Sequence, residues 1–266
     1  MKSYAQIYIL VYFLTNLVYN NSFAQDIEIV ETKNKSKINL KLSNLNNSLQ
    51  QLLEKVNRCE KRYLFNKDSV IIPLTVDELA YSLYPLQLEF LENVGKIVFV
   101  DQQYQIFTAY ENRKLVYWGP VNSGKVSTPT PEGLYFVNWK HPKRISSINP
   151  SWILRYNINI ELKEGIGFHQ YAMPGYPASH SCIRLLVKDA KWLYEWVDLW
   201  KVAPGFVIKN KGTPIIVFGK AKDFNRRELY NIYRNKKVRD KDLLGSMFSK
   251  YKIEIIKNEN DRKSIK

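Results

Sequence analysis

Two of the chain's three histidines and one of its two cysteines fall within Phe168 to Leu185, a stretch reading FHQYAMPGYPASHSCIRL. Cys182 follows His180 by two positions and His169 by thirteen. A thiol with imidazoles nearby suits nucleophilic acyl transfer. The thiolate attacks a carbonyl, and an imidazole carries the proton from the thiol to the leaving amine. Pro174, Gly175 and Pro177 break any helix or regular strand between the two histidines. The segment is therefore a loop, dense enough in turn residues to fold back and bring its ends together. The sequence holds no metal-ligand spacing, Gly-rich phosphate loop or nucleotide motif, so neither metal nor cofactor is expected.

On residue type alone, both histidines are candidates for the base. His180 is nearer in sequence, but alternate residues of an extended chain point to opposite sides. His169 ends a predicted strand, Ile166 to His169, from which it can reach across the loop. The backbone N–H groups of Ser181 and Cys182 are the candidate donors to a tetrahedral oxyanion. Arg184 offers a planar fork that matches a carboxylate, with a structural role equally open. Ser179 and Tyr171 are candidate substrate contacts, and Trp139 and Tyr176 candidate walls of the cleft. His141 reads as a surface residue. Cys59, in NRCEKR, reads as a free, partly buried thiol, with a disulfide to Cys182 as the alternative.

The elements that position this loop are short. From Lys96 onward, aromatic and β-branched residues predict strands at Lys96–Val100, Tyr104–Tyr110, Leu115–Val121, Leu134–Trp139 and Ile166–His169. Tight polar connections such as Glu111-Asn112-Arg113 suit an antiparallel sheet. Val187 to Trp200 predicts a helix that is apolar on two faces and so largely buried. Thr213 to Gly219 predicts a final buried strand. Upstream, Leu42, Leu45, Leu49, Leu52, Leu53 and Val56 predict one amphipathic helix. Tyr63 to Pro73 predicts a strand, and Thr75 to Glu92 a second helix capped by Thr75 with Glu78. Asn225–Asn235 and Asp240–Tyr251 also read as helical.

Residues 1–24 read as a secretory signal. Lys2 is followed by the apolar stretch Ile7 to Val18 and the small-x-small site Ser22-Phe23-Ala24. That stretch is short for a span of roughly 20 residues, so no membrane span is expected after cleavage, and the mature chain is expected in the periplasm or cell wall. The chain carries 40 Lys and Arg against 25 Asp and Glu, a net charge of +15. Such a surface favours an anionic partner. Export points to carboxylate-rich wall material rather than nucleic acid. Residues 220–266 hold 15 basic and 7 acidic residues, which reads either as a binding surface or as a solvated basic extension.

The stretch around Cys182 resembles the active-site signature of the YkuD-type L,D-transpeptidases. Their pattern, a histidine, a loop, then Ser-His-Gly-Cys, an aliphatic residue and Arg, becomes His169, the loop, and Ser179-His180-Ser181-Cys182-Ile183-Arg184. Ser181 stands where the family usually has glycine, and carries strain if that position needs a positive φ. The turns in Asn122 to Gly133, NSGKVSTPTPEG, also resemble the family, extending the likeness across roughly Lys96 to Phe218. Tyr63 to Pro73 is similar to the closing strand of a LysM module over about ten residues.

The resemblance implies a mainly β fold, a YkuD-like antiparallel β-sandwich with a buried helix after the cysteine. That catalytic domain would span 95–219, between a helical region at 25–94 and a basic, partly helical extension at 220–266. It assigns Cys182 as nucleophile, His169 as the proton carrier and His180 to the loop or substrate. It implies peptidoglycan stem peptides as donor and acceptor, with cross-linking as the outcome. A hydrolase using water as acceptor, an L,D-carboxypeptidase, and a peptidoglycan-binding protein without turnover are the alternatives.

Overall fold

In a computed structural model, the chain is described over residues 27–146, 149–223, 225–235 and 237–264. The expected leader lies outside the described residues. No helix among those residues is long and apolar enough to cross a membrane. Five strands make the central sheet: β3 (Lys96–Asp101), β4 (Ile106–Glu111), β5 (Lys114–Pro120), β6 (Gly133–Phe136) and β13 (Pro214–Phe218), in the order β5-β4-β3-β13-β6.

Alternation along the middle strands decides what covers this sheet. Val98 and Val100 of β3, with Ile215 and Val217 of β13, face one core; Ile97, Phe99, Ile216 and Phe218 face another. With both faces apolar, the sheet must be covered on both sides. On one side lies a four-stranded sheet in the order β10-β9-β8-β7, built from β7 (Lys140–Ile145), β8 (Ile153–Asn159), β9 (Gly167–Gln170) and β10 (Ile183–Leu185). The helix Val187–Trp196 joins it, inserting Ala190 and Leu193 into the shared core beside Phe168, Ile183 and Leu185.

The second face is closed by the two ends of the chain. The N-terminal part runs β1 (Ile27–Glu31), α1 (Lys35–Ser43), α2 (Asn47–Asn57) and β2 (Ser69–Pro73), with β1 and β2 antiparallel. Numbering the helices on from there, Val187–Trp196 is α3, followed by α4 (Arg226–Arg234), α5 (Lys241–Ser249) and α6 (Lys252–Ser264). Leu52 and Val56 of α2 share one core with Leu229, Ile232 and Tyr233 of α4, Phe248 of α5 and Ile255 of α6, all beneath Phe99, Tyr110 and Trp118. The basic C-terminal segment is thus a structural layer, not a solvated extension.

A mainly β fold with helices added is what the sequence predicts, and the structure corrects it in four places. Two strand pairs, β13 with β3 and β10 with β9, are parallel rather than antiparallel. The single helix expected through Leu42 to Val56 is two, because the Asn46 side chain accepts the Leu49 N–H and starts α2 afresh. No α-helix forms over Thr75–Glu92. Pro85 sits in its middle, Leu83 is left-handed at φ 62°, and only short 3₁₀ turns remain at Leu79–Ser82 and Glu89–Leu91. The strand in Tyr63–Pro73 is confined to Ser69–Pro73, where it closes the β-α-α-β unit.

Phe248 is fully buried against Phe90 beneath the sheet, with ring centroids 5.5 Å apart. Phe248→Ala should cost about 3–5 kcal/mol of unfolding free energy in a urea titration. A loss below about 1 kcal/mol would mean that the C-terminal layer is only loosely applied.

Candidate active site

His169 and Cys182 come together because β9 and β10 lie side by side and parallel, with His169 in register with Arg184. The loop between them is held from outside. Asn122 and Arg184 exchange both backbone hydrogen bonds, at 3.1 Å each. The Ser123 carbonyl accepts from the Ala178 and Ser179 N–H groups at 3.0 and 3.1 Å, and the Ser179 carbonyl accepts from Lys125 N–H at 3.0 Å. Thr128 O accepts the Ser181 N–H at 3.1 Å, and Thr130 Oγ1 donates to Ser181 O at 2.9 Å. Gly124 permits this contact, because a Cβ there would lie 2.2 Å from Thr128 O. The Asn122–Gly133 turns, read from sequence only as a motif, are therefore the clamp that shapes the loop. Ser181 adopts φ 70°, the left-handed conformation that a glycine would take without strain.

From behind, the loop rests on both ends of the chain. Glu60 N–H donates to Met173 O at 3.0 Å, and Gly175 N–H donates to Asn122 Oδ1 at 3.1 Å. Gly175, at φ 90°, leaves room for Cys59 and Arg226; a Cβ would meet them at 3.0 and 3.1 Å. Cys59 is free and fully buried, accepting a hydrogen bond from Arg226 Nη2 at 3.2 Å. Burial raises its pKa to about 11, with Arg226 acting against that rise. Lys55 of α2 reaches α3, contacting Glu78 Oε1 at 2.5 Å, Trp118 O at 2.8 Å and the buried Asp189 Oδ1 at 3.2 Å.

A cavity of about 40 Å³ opens where these elements meet, lined by His169, His180 and Cys182 together with Tyr171, Ser179 and Arg184. The remaining wall, Ser146, Trp152 and Leu154, comes from the β7–β8 region.

His169 is 4% exposed. Its Nδ1 lies 3.2 Å from Gln170 O, which can only accept, so Nδ1 carries the proton and Nε2 keeps its lone pair. Burial lowers the His169 pKa to about 4; the Gln170 bond opposes this, and the Arg184 charge adds to it. Burial also raises the Cys182 pKa above the ordinary thiol value, against a hydrogen bond from Gly167 N–H and the Arg184 charge. The sulfur lies 3.9 Å from Gly165 O, and no hydrogen bond joins it to His169 among the described residues. At neutral pH the site therefore holds a neutral thiol and a neutral imidazole, not an ion pair.

The other predicted residues divide. Arg184 donates to Ala172 O at 3.1 Å and lies 4.9 Å from the Tyr171 ring, so its guanidinium is partly engaged by its own loop. Ser179 Oγ donates to Cys182 O, which commits its proton to the loop and leaves only its lone pairs toward the cavity. The Ser181 N–H is taken by Thr128, leaving Cys182 N–H as the candidate oxyanion donor. The His180 ring lies tilted against Trp152, with centroids 5.2 Å apart, and holds its Nε2 3.4 Å from Lys125 Nζ. Trp139 lies under Arg144, Tyr176 is exposed beside Lys67, and neither lines the cavity; Trp152 does instead. His141 is exposed, as expected. Cys59 and Cys182 are both free.

This arrangement falls within a stretch with known relatives. Residues 95–217 match the family model of the YkuD L,D-transpeptidase catalytic domain. Among solved structures, an L,D-transpeptidase from Stackebrandtia nassauensis aligns with a TM-score of 0.39 and 26% identity over 49% of this chain and 58% of its own. An Enterococcus faecium L,D-transpeptidase aligns at 0.37 and 25% identity, over 47% of this chain and 50% of its own. L,D-transpeptidase 1 from Mycobacterium tuberculosis aligns at 0.36 and 22%, over 47% and 63%. The chain thus spans little more than half the length of these relatives. No curated protein matches the sequence.

The buried imidazole sets a pH signature. An unfolded His169 takes up a proton below about 6.5, and the folded one only near 4. Its contribution to stability is complete above pH 6.5 and is lost as the pH falls from there through 4. The full difference is about 3 kcal/mol. Urea unfolding at pH 7 and pH 4.5 should show a smaller acid loss in His169→Gln than in the parent. Equal acid losses would mean that His169 is not held neutral by burial.

Proposed function

We propose that this chain is an exported peptidoglycan L,D-transpeptidase in which Cys182 is the nucleophile and His169 the base. The reading rests on one observation. Within the segment that matches the L,D-transpeptidase domain, the thiol and an imidazole with a free Nε2 line the same cavity. Because both start neutral, the proton moves when the substrate carbonyl arrives, from Sγ to Nε2 as the new C–S bond forms. The bond attacked joins the L-centre of a diamino acid to the terminal D-alanine of a stem peptide. The oxyanion takes the Cys182 N–H, a donor worth about 3 kcal/mol in such a site. His169 returns its proton to the departing D-alanine amine, leaving a thioester. An amine from a second stem then attacks the thioester and releases the thiol, forming the cross-link. Arg184 and Lys125 supply positive charge for a substrate carboxylate. The sequence requires no cofactor for these steps.

Incubation with tetrapeptide-bearing muropeptides, followed by mass spectrometry, tests this. Loss of D-alanine with formation of a linked dimer is expected, and neither should occur with Cys182→Ala. Loss of D-alanine with uptake of water alone would make the protein an L,D-carboxypeptidase, and no release at all would sink the assignment. His169→Ala should lower the rate by about 10² to 10⁴, the usual effect of losing a general base. Carbapenems should add once to the chain and not at all to Cys182→Ala; an adduct surviving in that variant would place the nucleophile elsewhere.

A further inference from the structure

Just after α3, one hairpin outside the cavity lining carries apolar side chains that the fold does not use. Strands β11 (Lys201–Ala203) and β12 (Val207–Asn210) form their own two-stranded sheet, closed by Pro204, Gly205 and Phe206. Phe206 is 92% exposed, and Val202, Val207 and Ile208 are exposed beside it. Gly205 at φ 78° and Phe206 at φ 59° are both left-handed. That conformation is natural for glycine and unfavourable for a residue with a Cβ. A phenylalanine here is strained and gains nothing from burial in the fold. Strain of this kind, held on an exposed tip, points to a role in contact with something else.

The surroundings say what that is. Lys201 and Lys209 are exposed at the base of the hairpin, behind the tip, and helix α6 packs against the end of β12 through Lys211 N–H to Asn258 Oδ1, at 2.7 Å. Along α6, Ile253 is 88% exposed between Lys252 and Glu254, with Lys257 one turn on. A groove lined by Ile208, Lys209 and Lys257 and a second lined by Ile253 and Lys257 share Lys257 and Asp261, so the surface is continuous from hairpin to helix. Lys201, Lys209, Lys252 and Lys257 have no acidic partner among the described residues. Of the acids nearby, Glu254 is tied to Lys211 at 2.6 Å and Asp198 to Lys96 and Arg262; Asp261 remains.

We propose that the β11–β12 tip and its lysines are a docking surface for anionic phospholipid bilayers, into whose interface Phe206 inserts. A protruding apolar tip with cations set behind it, at the hairpin base and on α6, needs no socket in its partner. It fits a layer with anionic headgroups over an apolar interior, and aromatic residues favour that boundary. The contact is peripheral and holds the chain by this hairpin and the adjoining face of α6.

The N-terminal apolar stretch is itself a possible lipid ligand, so the test reads the tip directly. In the full chain carrying Cys182→Ala and Phe206→Cys, an environment-sensitive nitrobenzoxadiazole label is attached at position 206. Vesicles of phosphatidylglycerol and phosphatidylcholine should shift its emission to the blue, and spin labels in the acyl chains should quench it. Pure phosphatidylcholine should do so at least about tenfold more weakly, and replacing the four lysines by glutamine should give a similar loss on anionic vesicles. Unlabelled Phe206→Ser should need about tenfold more lipid than the parent to sediment with anionic vesicles. A label that stays in water while the chain sediments would overturn the proposal in favour of another segment. A blue shift that grows with protein concentration and not with lipid would overturn it in favour of a second copy of the chain.

Discussion

The peptide groups between Ala178 and Arg184 find few partners inside their own loop, and a buried N–H or C=O left unpaired costs about as much as a lost hydrogen bond. Residues 122–130 satisfy them from outside, through backbone exchange with Arg184 and through Ser123, Thr128 and Thr130. Once those bonds are made, the loop has little freedom. Cys182 must leave the turn beside β9, and Ser181 must accept a left-handed conformation. Most of what the site can do follows from that requirement. The donor available to an oxyanion, the engagement of Ser179 and the partial tethering of Arg184 are all consequences of pairing the loop's backbone.

The electrostatics follow from the same closeness. Packing the loop between β9, the 122–133 turns and the rear support at Cys59 and Arg226 takes water away from both reacting groups. Desolvation moves the imidazole down and the thiol up, which widens the gap between them and disfavours a standing ion pair. A thiol kept neutral is also slower to meet oxidants and stray electrophiles, because the thiolate is the reactive form.

How much of this could be read from sequence depended on how local each signal was. His169, Cys182 and the Asn122–Gly133 turns were legible because their residue types are uncommon and their spacings short. Trp152 and Leu154 were not, because β7 carries Lys140-His141-Pro142-Lys143-Arg144 with almost every side chain exposed and no apolar alternation to mark it. β10 is three residues long and fell below any periodic signal. The helical pattern of Leu229, Ile232 and Tyr233 was visible, but not the surface it covers, since nothing in a helix names the distant strand it will pack on. For Ser179 the side chain was legible, and the direction in which its hydroxyl donates was not.

The support behind the loop joins residues that are far apart in the chain. Arg58 Nη1 donates to the Tyr233 hydroxyl across 175 positions, and Arg226 donates to Cys59 across 167. Contacts of such separation form late, because loop closure must come before they can repay it. During synthesis, a ribosome-bound or partly emerged chain therefore holds every residue of the Cys182 cavity while still lacking the helix that backs Gly175. The loop around Cys182 gains its rear support only after α4 has been made and has docked, so the setting of this thiol is fixed by a helix that lies well outside the motif itself.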